Sequence, residues 1–413
     1  MSSATSGSVS GNALSTARLR EPLSHRRLTG VFIGMGGTAA VIPALLPALA
    51  AQYGVELDAV LPAVPALFSG LVVGIVAGGW WGRRADRATL LSIASAAQAA
   101  GLMIIALSAA PAGLLLGAAM SGAGFGLAEV IGAASARQLA PAGSPRLLTR
   151  LMAALAASAM AAPVVVLMAT ESGWPGAAAG VIAATHLLAV RPPRRGANLP
   201  VQVESATVFD DPARDTPARL APTGTLVLLA AGVFFYVGAE TILSGWSAAA
   251  VVAATGAGAG VAALGTSVFW LLMVAGRVLG ARILARPRAT LPLLIVASLL
   301  LWGSLLGAAV LAPEGGLPVL ALLAVAVLAA APCYGILVGL VVDHVDADHA
   351  APTASAVITV GAVGGAVVPA IASLAGVTMT YAVAAIAAAG VTTLTIAFAI
   401  RERHAVDRKE PRR

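Results

Sequence analysis

Two carboxylates stand where a charge is costly. Glu240 is near the middle of Phe234 to Trp246, FFYVGAETILSGW, inside an apolar run over about 224–252. Glu129 sits in GAGFGLAEV, in another apolar run, slightly to the cytoplasmic side of its middle. An ionised group at bilayer mid-depth costs ~2.5–3.5 kcal/mol even on the lenient insertion scale, so it is expected to face a protein interior or a wet cavity. A carboxyl group held there can take a proton from one side and release it to the other as water access switches. That is the chemistry proton coupling requires. The competing reading is a buried acid held by hydroxyl or backbone partners for structure alone.

Other side chains could shape such a site. Tyr236, Thr241, Ser244 and Trp246 give the Glu240 run a polar and aromatic face. Trp270 offers a further aromatic wall. Gln98 is the one amide expected within the membrane, and Tyr334 follows Pro332 where a helix is expected to break. Ordinary packing explains each of these equally well. No Lys or Arg is expected at mid-depth, so neither acid is expected to have a buried ionic partner. His186 is expected at the interfacial end of its segment. Asp343, His344, Asp346, Asp348 and His349 read as a solvated loop rather than a metal site.

The elements that must hold these residues follow from composition. Of 413 residues, 59% are hydrophobic and 10% charged, against about 25% charged in a soluble domain. Runs of ~20 apolar residues, not ~10 with alternation, read as transmembrane helices rather than a barrel. Twelve segments are predicted, at about 28–52, 60–82, 89–110, 112–136, 147–169, 173–190, 224–252, 258–282, 289–311, 315–342, 350–376 and 378–400. Every Lys and Arg then falls on one side of the membrane, and the opposite connections carry only Glu56, Asp58, Glu171 and Glu314. By the positive-inside rule both termini are cytoplasmic. The net charge of +7 is thus a topology signal, and no nucleic-acid partner is implied.

The longest connection, 191–222, is rich in Pro and Arg and reads as a flexible cytoplasmic linker. It separates two six-helix bundles, 28–190 and 223–400, between an N-tail, 1–27, expected to be disordered and a C-tail, 401–413. Arg87-Ala88-Thr89-Leu90 recurs as Arg288-Ala289-Thr290-Leu291 at the equivalent turn of the second bundle. Duplicated bundles suit alternating access around a midplane site. Gly70, Gly74 and Gly78, then Gly276 and Gly280, then Gly361 and Gly365, form small-residue ridges that let helices approach closely. No Walker loop, zinc spacing or HExxH is present, and the one lysine, Lys409, is in the tail. The chain reads as neither an enzyme nor an ATP-driven pump, with no cofactor and no metal. The N-terminal run is too long for a signal-peptide core and reads as an uncleaved first helix.

With six-plus-six topology, a long central loop and arginine-rich turns after the second and eighth segments, residues 28–400 resemble the major facilitator superfamily. FYVGAETILSGW, AGRVLGARIL (275–284) and GGAVVPAIASLAG (364–376) are similar to its fucose–proton symporter branch. The resemblance implies an all-α membrane protein of two pseudo-symmetric six-helix bundles that moves a small organic solute; a free sugar is not expected despite the branch, because the membrane region has almost no Asn or Gln and the sugar's hydroxyls would stay unpaired. It implies proton coupling at Glu129, which falls at the branch's helix 4 acid, and gating turns built from Arg83, Asp86, Arg87, Arg277 and Arg288. Arg83 stands where the superfamily pattern GxLaDrxGrkxxl has Asp, and Asp86 where it has Gly. The first helix lacks the acid of fucose permeases. AASAMAAPVVV (156–166) is a degenerate form of the GxxxGPxxGG pattern of proton-coupled drug exporters, with Pro163 kept. The expectation is a monomeric proton-coupled symporter of the cell membrane, with a proton antiporter exporting an apolar or cationic compound as the alternative and a non-transporting sensor as a remote one.

Overall fold

The structure, a computed structural model, describes residues 25–82, 84–139, 144–187, 223–286, 288–345, 347–376 and 379–409. Every element of more than a turn is an α-helix among these residues. The first half holds α1 (His25–Tyr53), α2 (Ala63–Trp81), α3 (Arg87–Leu107), α4 (Pro111–Leu139), α5 (Ser144–Glu171) and α6 (Ala177–Leu187). The second holds α7 (Thr223–Gly245), α8 (Ser247–Thr255), α9 (Ala259–Leu284), α10 (Thr290–Leu311), α11 (Leu317–Ala330), α12 (Cys333–Asp343), α13 (Ala347–Ala375) and α14 (Thr380–Lys409). Among the described residues, eleven helical stretches are long and apolar enough to cross a membrane, and Ala177–Leu187 is a shorter apolar one. These correspond to the twelve segments predicted.

Three boundaries differ from expectation, and the break expected at Pro332 is present. The seventh segment is bent at Trp246, which separates α7 from α8, although Trp246 and Ala250 still donate backbone bonds to Ile242 and Trp246. The tenth breaks between Ala330 and Cys333, because Pro332 lacks an N–H and its ring crowds the preceding turn. His25, Arg26 and Arg27 belong to α1 rather than to a tail, and α14 continues past Ile400 to Lys409. The 191–222 linker lies outside the described residues.

Glycine sets the helix spacing. A side chain on Gly70 or Gly74 of α2 would strike the backbone of Ala119 or Ala123 on α4, and one on Gly122 or Gly126 of α4 would strike Leu67 or Leu71. The contact is reciprocal, so the two backbones lie almost against one another and dispersion replaces the missing hydrophobic drive. Gly364 of α13 meets the backbone of Phe234 on α7 in the same way. Helix α1 is buried nearly all round. It packs on α5, α6 and α4 of its own half and on α8 and α9 of the other.

The two halves touch toward one end. Gly245 lies on Val64, Gly365 on Phe68, Gly376 near Asp58, and Gly260 against Leu167, Thr170 and Glu171. Ser267 Oγ donates to the Met160 carbonyl at 2.8 Å. These contacts run from mid-depth to the end opposite the arginine-rich turns.

The structure corrects the placing of His186. It is fully buried, not interfacial. Gly34 on α1 has no side chain, and the His186 ring occupies the space its Cβ would need. Thr38 Oγ1 lies 2.8 Å from His186 Nε2 and donates to the Gly34 carbonyl at 3.2 Å. His186→Ala should lower stability by about 2–3 kcal/mol, chiefly through the cavity the ring leaves, since the Thr38 hydroxyl keeps its bond to the Gly34 carbonyl. A thermal melt would read this, and an unchanged melting point would show that the contact carries no stability.

Candidate substrate and proton site

Tyr236 and Glu240 are one turn apart on α7 and so share a face. The Tyr236 hydroxyl is directed toward Glu240 but falls short of full hydrogen-bond geometry, and it is buried without a partner. Tyr334, at the start of α12, lies across from it with ring centroids 6.0 Å apart and planes tilted by 35°. The break at Pro332 brings Tyr334 to that position. Cys333 beside it is buried, its thiol directed to the Ala329 carbonyl at 3.4 Å.

Arg277 changes the electrostatics expected of this cluster. Its Nη2 lies 3.8 Å from Glu240 Oε1. The sequence reading left both acids without a basic partner and put Arg277 in a gating turn. The structure places Arg277 inside α9, whose last residue is Leu284. A long arginine side chain can reach from a shallower backbone position to a group nearer mid-depth. The pair is loose, and the two side chains keep 48% and 23% exposure, so it is not a sealed ion pair.

Glu129 comes from the other half. It is half-buried on α4. Tyr334 is within electrostatic reach of Glu129, Glu240 and Arg277 together. The two acids singled out in the sequence therefore lie within electrostatic reach of one tyrosine although they belong to different bundles.

The remaining candidates are placed apart. Trp246 is buried at the α7–α8 bend and Trp270 is half-buried on α9, edge-to-face with Phe269 at 5.5 Å; both indole N–H groups lack partners. Gln98 is fully buried on α3 against Gly124 of α4, and neither its Oε1 nor its Nε2 has a partner. It belongs to the α3–α4 interface rather than the α7 cluster. Arg83 lies outside the described residues. Asp86 caps α3, accepting from Thr89 N at 2.9 Å and from its hydroxyl at 3.1 Å. Arg87 donates to the Ala134 carbonyl at 3.3 Å, tying α3 to α4. Arg288 is exposed in the turn before α10 with φ 62°. Sequence reasoning missed the Arg277–Glu240 pair, although Arg277 already fell inside the predicted 258–282 segment.

Apolar helices long enough to span a bilayer, arranged in two halves around a partly accessible charged cluster, define a multi-pass membrane protein built as a solute transporter. The chain belongs to the Major Facilitator Superfamily, whose family model matches residues 28–369. This is a transporter family, not an enzyme family. No curated protein matches the sequence. Among solved structures, the nucleoside transporter NupG superposes with a TM-score of 0.65 at 14% identity, covering 91% of this chain and 99% of that one. A D-xylose-proton symporter gives 0.69 at 15%, covering 91% and 96%. A peptide transporter, POT, gives 0.70 at 14%, covering 92% and 94%. At such identities the likeness shows the fold.

Proposed function

We propose that the protein moves a small organic solute across the cell membrane by alternating access, in symport with protons, as a monomer with both termini cytoplasmic. The observation that carries this reading is that Glu129 from one half and Glu240 from the other both lie within electrostatic reach of Tyr334. Rocking of the 28–190 bundle against the 223–400 bundle would separate or join these groups, so proton uptake and solute binding would respond to the same motion. Glu129 and Glu240 serve as the coupling acids, and Tyr236, Trp246 and Trp270 wall the path. Contacts between the halves gathered toward one end support an inward-facing arrangement, open toward the arginine-rich side. The likeness to a xylose–proton symporter and to peptide and nucleoside transporters supports an organic solute.

A second reading has its own support. Glu129 has no ion-pair partner among the described residues, so the cluster holds one carboxylate more than it holds cations. That imbalance suits an exported cation exchanging with a proton. Proteoliposomes loaded with a pH-sensitive dye would decide between the two. Solute added outside should acidify the lumen under symport. Outward proton movement on addition of an organic cation would establish the antiporter instead. Solute crossing with no change in lumen pH would overturn proton coupling in both.

A further inference from the structure

Helices α5, α6 and α1 enclose a groove of about 400 Å³ on the outer face of the first half. Ala154, Ala157, Ala161 and Val165 form its α5 wall, and Val181 of α6 and Ile33 of α1 face them. The α5 residues recur every three or four positions, which keeps them on one helix face. Alanine at three of the four positions is what hollows that face.

The chemistry of the lining excludes a polar occupant. Its two hydroxyls are already committed, Ser158 to the Ile33 carbonyl at 2.6 Å and Thr185 to the Ile182 carbonyl at 2.7 Å. Val181 and Ile33 are 52% and 40% exposed, so the groove opens to the surroundings of the bundle, which in a membrane-spanning protein are lipid.

Its length and its end identify the lipid. From Ala154 to Val165 the wall rises roughly 16 Å, close to the ~15 Å hydrocarbon thickness of one leaflet. The apolar span of this helix begins at Arg150. Arg150 is one turn before Ala154 on the same face, exposed, and without a carboxylate partner among the described residues. Helical side chains tilt toward the helix N-terminus, so its guanidinium projects away from the groove toward the headgroup layer on the arginine-rich side. We propose that the groove seats one acyl chain of an anionic phospholipid from that leaflet, with Arg150 engaging the headgroup. The apolar wall supplies affinity for the chain and Arg150 selects the charge.

The test uses the purified full chain, stripped of lipid in detergent and read by native mass spectrometry. It is offered dioleoyl-phosphatidylglycerol or the phosphatidylcholine of the same chains. The protein should retain one phosphatidylglycerol, preferred by about fivefold, as one arginine at an anionic surface supplies. Arg150→Gln should bring the two lipids to parity. Ala157→Phe with Ala161→Phe should fill the groove and remove the retained lipid. Equal retention of both lipids by the unaltered protein, or a preference that survives Arg150→Gln, would overturn the headgroup assignment. Undiminished retention in the double phenylalanine variant would place the lipid elsewhere. Should that variant fail to fold, the Arg150→Gln comparison still decides.

Discussion

Glu129→Gln should end gradient-driven accumulation of solute while leaving the protein folded and still able to exchange solute across the membrane. Glutamine keeps the shape of glutamate and removes the exchangeable proton. Glu129 makes no ion pair among the described residues, so no partner is orphaned and little stability is lost. With one proton moving per solute, a one-unit pH step concentrates a neutral solute about tenfold. That ratio should fall to unity in the variant, whereas counterflow, which needs no net proton movement, should persist. Accumulation at the unaltered level would remove Glu129 from the coupling mechanism. Loss of counterflow and accumulation together, with an unchanged melting temperature, would make it a solute-binding group rather than a coupling one.

The parts of this fold that depend on transfer free energy were readable residue by residue. A run of twenty apolar residues is costly anywhere but in a membrane, and an arginine at a segment end marks a boundary. The Gly70 and Gly74 ridge could be read for a similar reason, since a glycine row has few uses other than close approach of backbones. Features that depend on side-chain reach or on partners distant in sequence were harder to see. Arg277 has its Cα in an apolar helix, and only the length and direction of its side chain bring the guanidinium to Glu240. His186 looked interfacial from its place near a helix end. It is buried because Gly34, about 150 positions earlier in the sequence, leaves room for the ring. Asp86 was read for a gating turn; that it also caps α3, through the Thr89 N–H and hydroxyl, is a matter of local backbone geometry. The proline break before Cys333 was visible, but that it would bring Tyr334 against Tyr236 and within electrostatic reach of both acids depended on how the helices pack.

Arg277→Gln should reduce transport at least tenfold with only a small loss of stability. The reasoning turns on how exposed the pair is. A sealed ion pair that loses one member costs ~3–5 kcal/mol, because a bare charge remains in a dry interior. Here the groups are 3.8 Å apart with side-chain exposures of 48% and 23%, so water can replace much of what the guanidinium supplies, and a cost of ~1 kcal/mol is expected. The effect on transport is different in kind. Arg277 balances one of the two carboxylates within electrostatic reach of Tyr334, and without it both are uncompensated, which changes the charge a solute meets there. Removing Glu240 as well should restore that balance. The double variant Glu240→Gln with Arg277→Gln should therefore recover solute counterflow, while gradient-driven accumulation stays absent because an exchangeable acid has gone. Recovery of both activities would show that Glu240 serves only as the partner of Arg277 and leave coupling to Glu129 alone. Recovery of neither would mean that the guanidinium contacts the solute itself, and the affinity for an anionic solute group should then fall in the single variant.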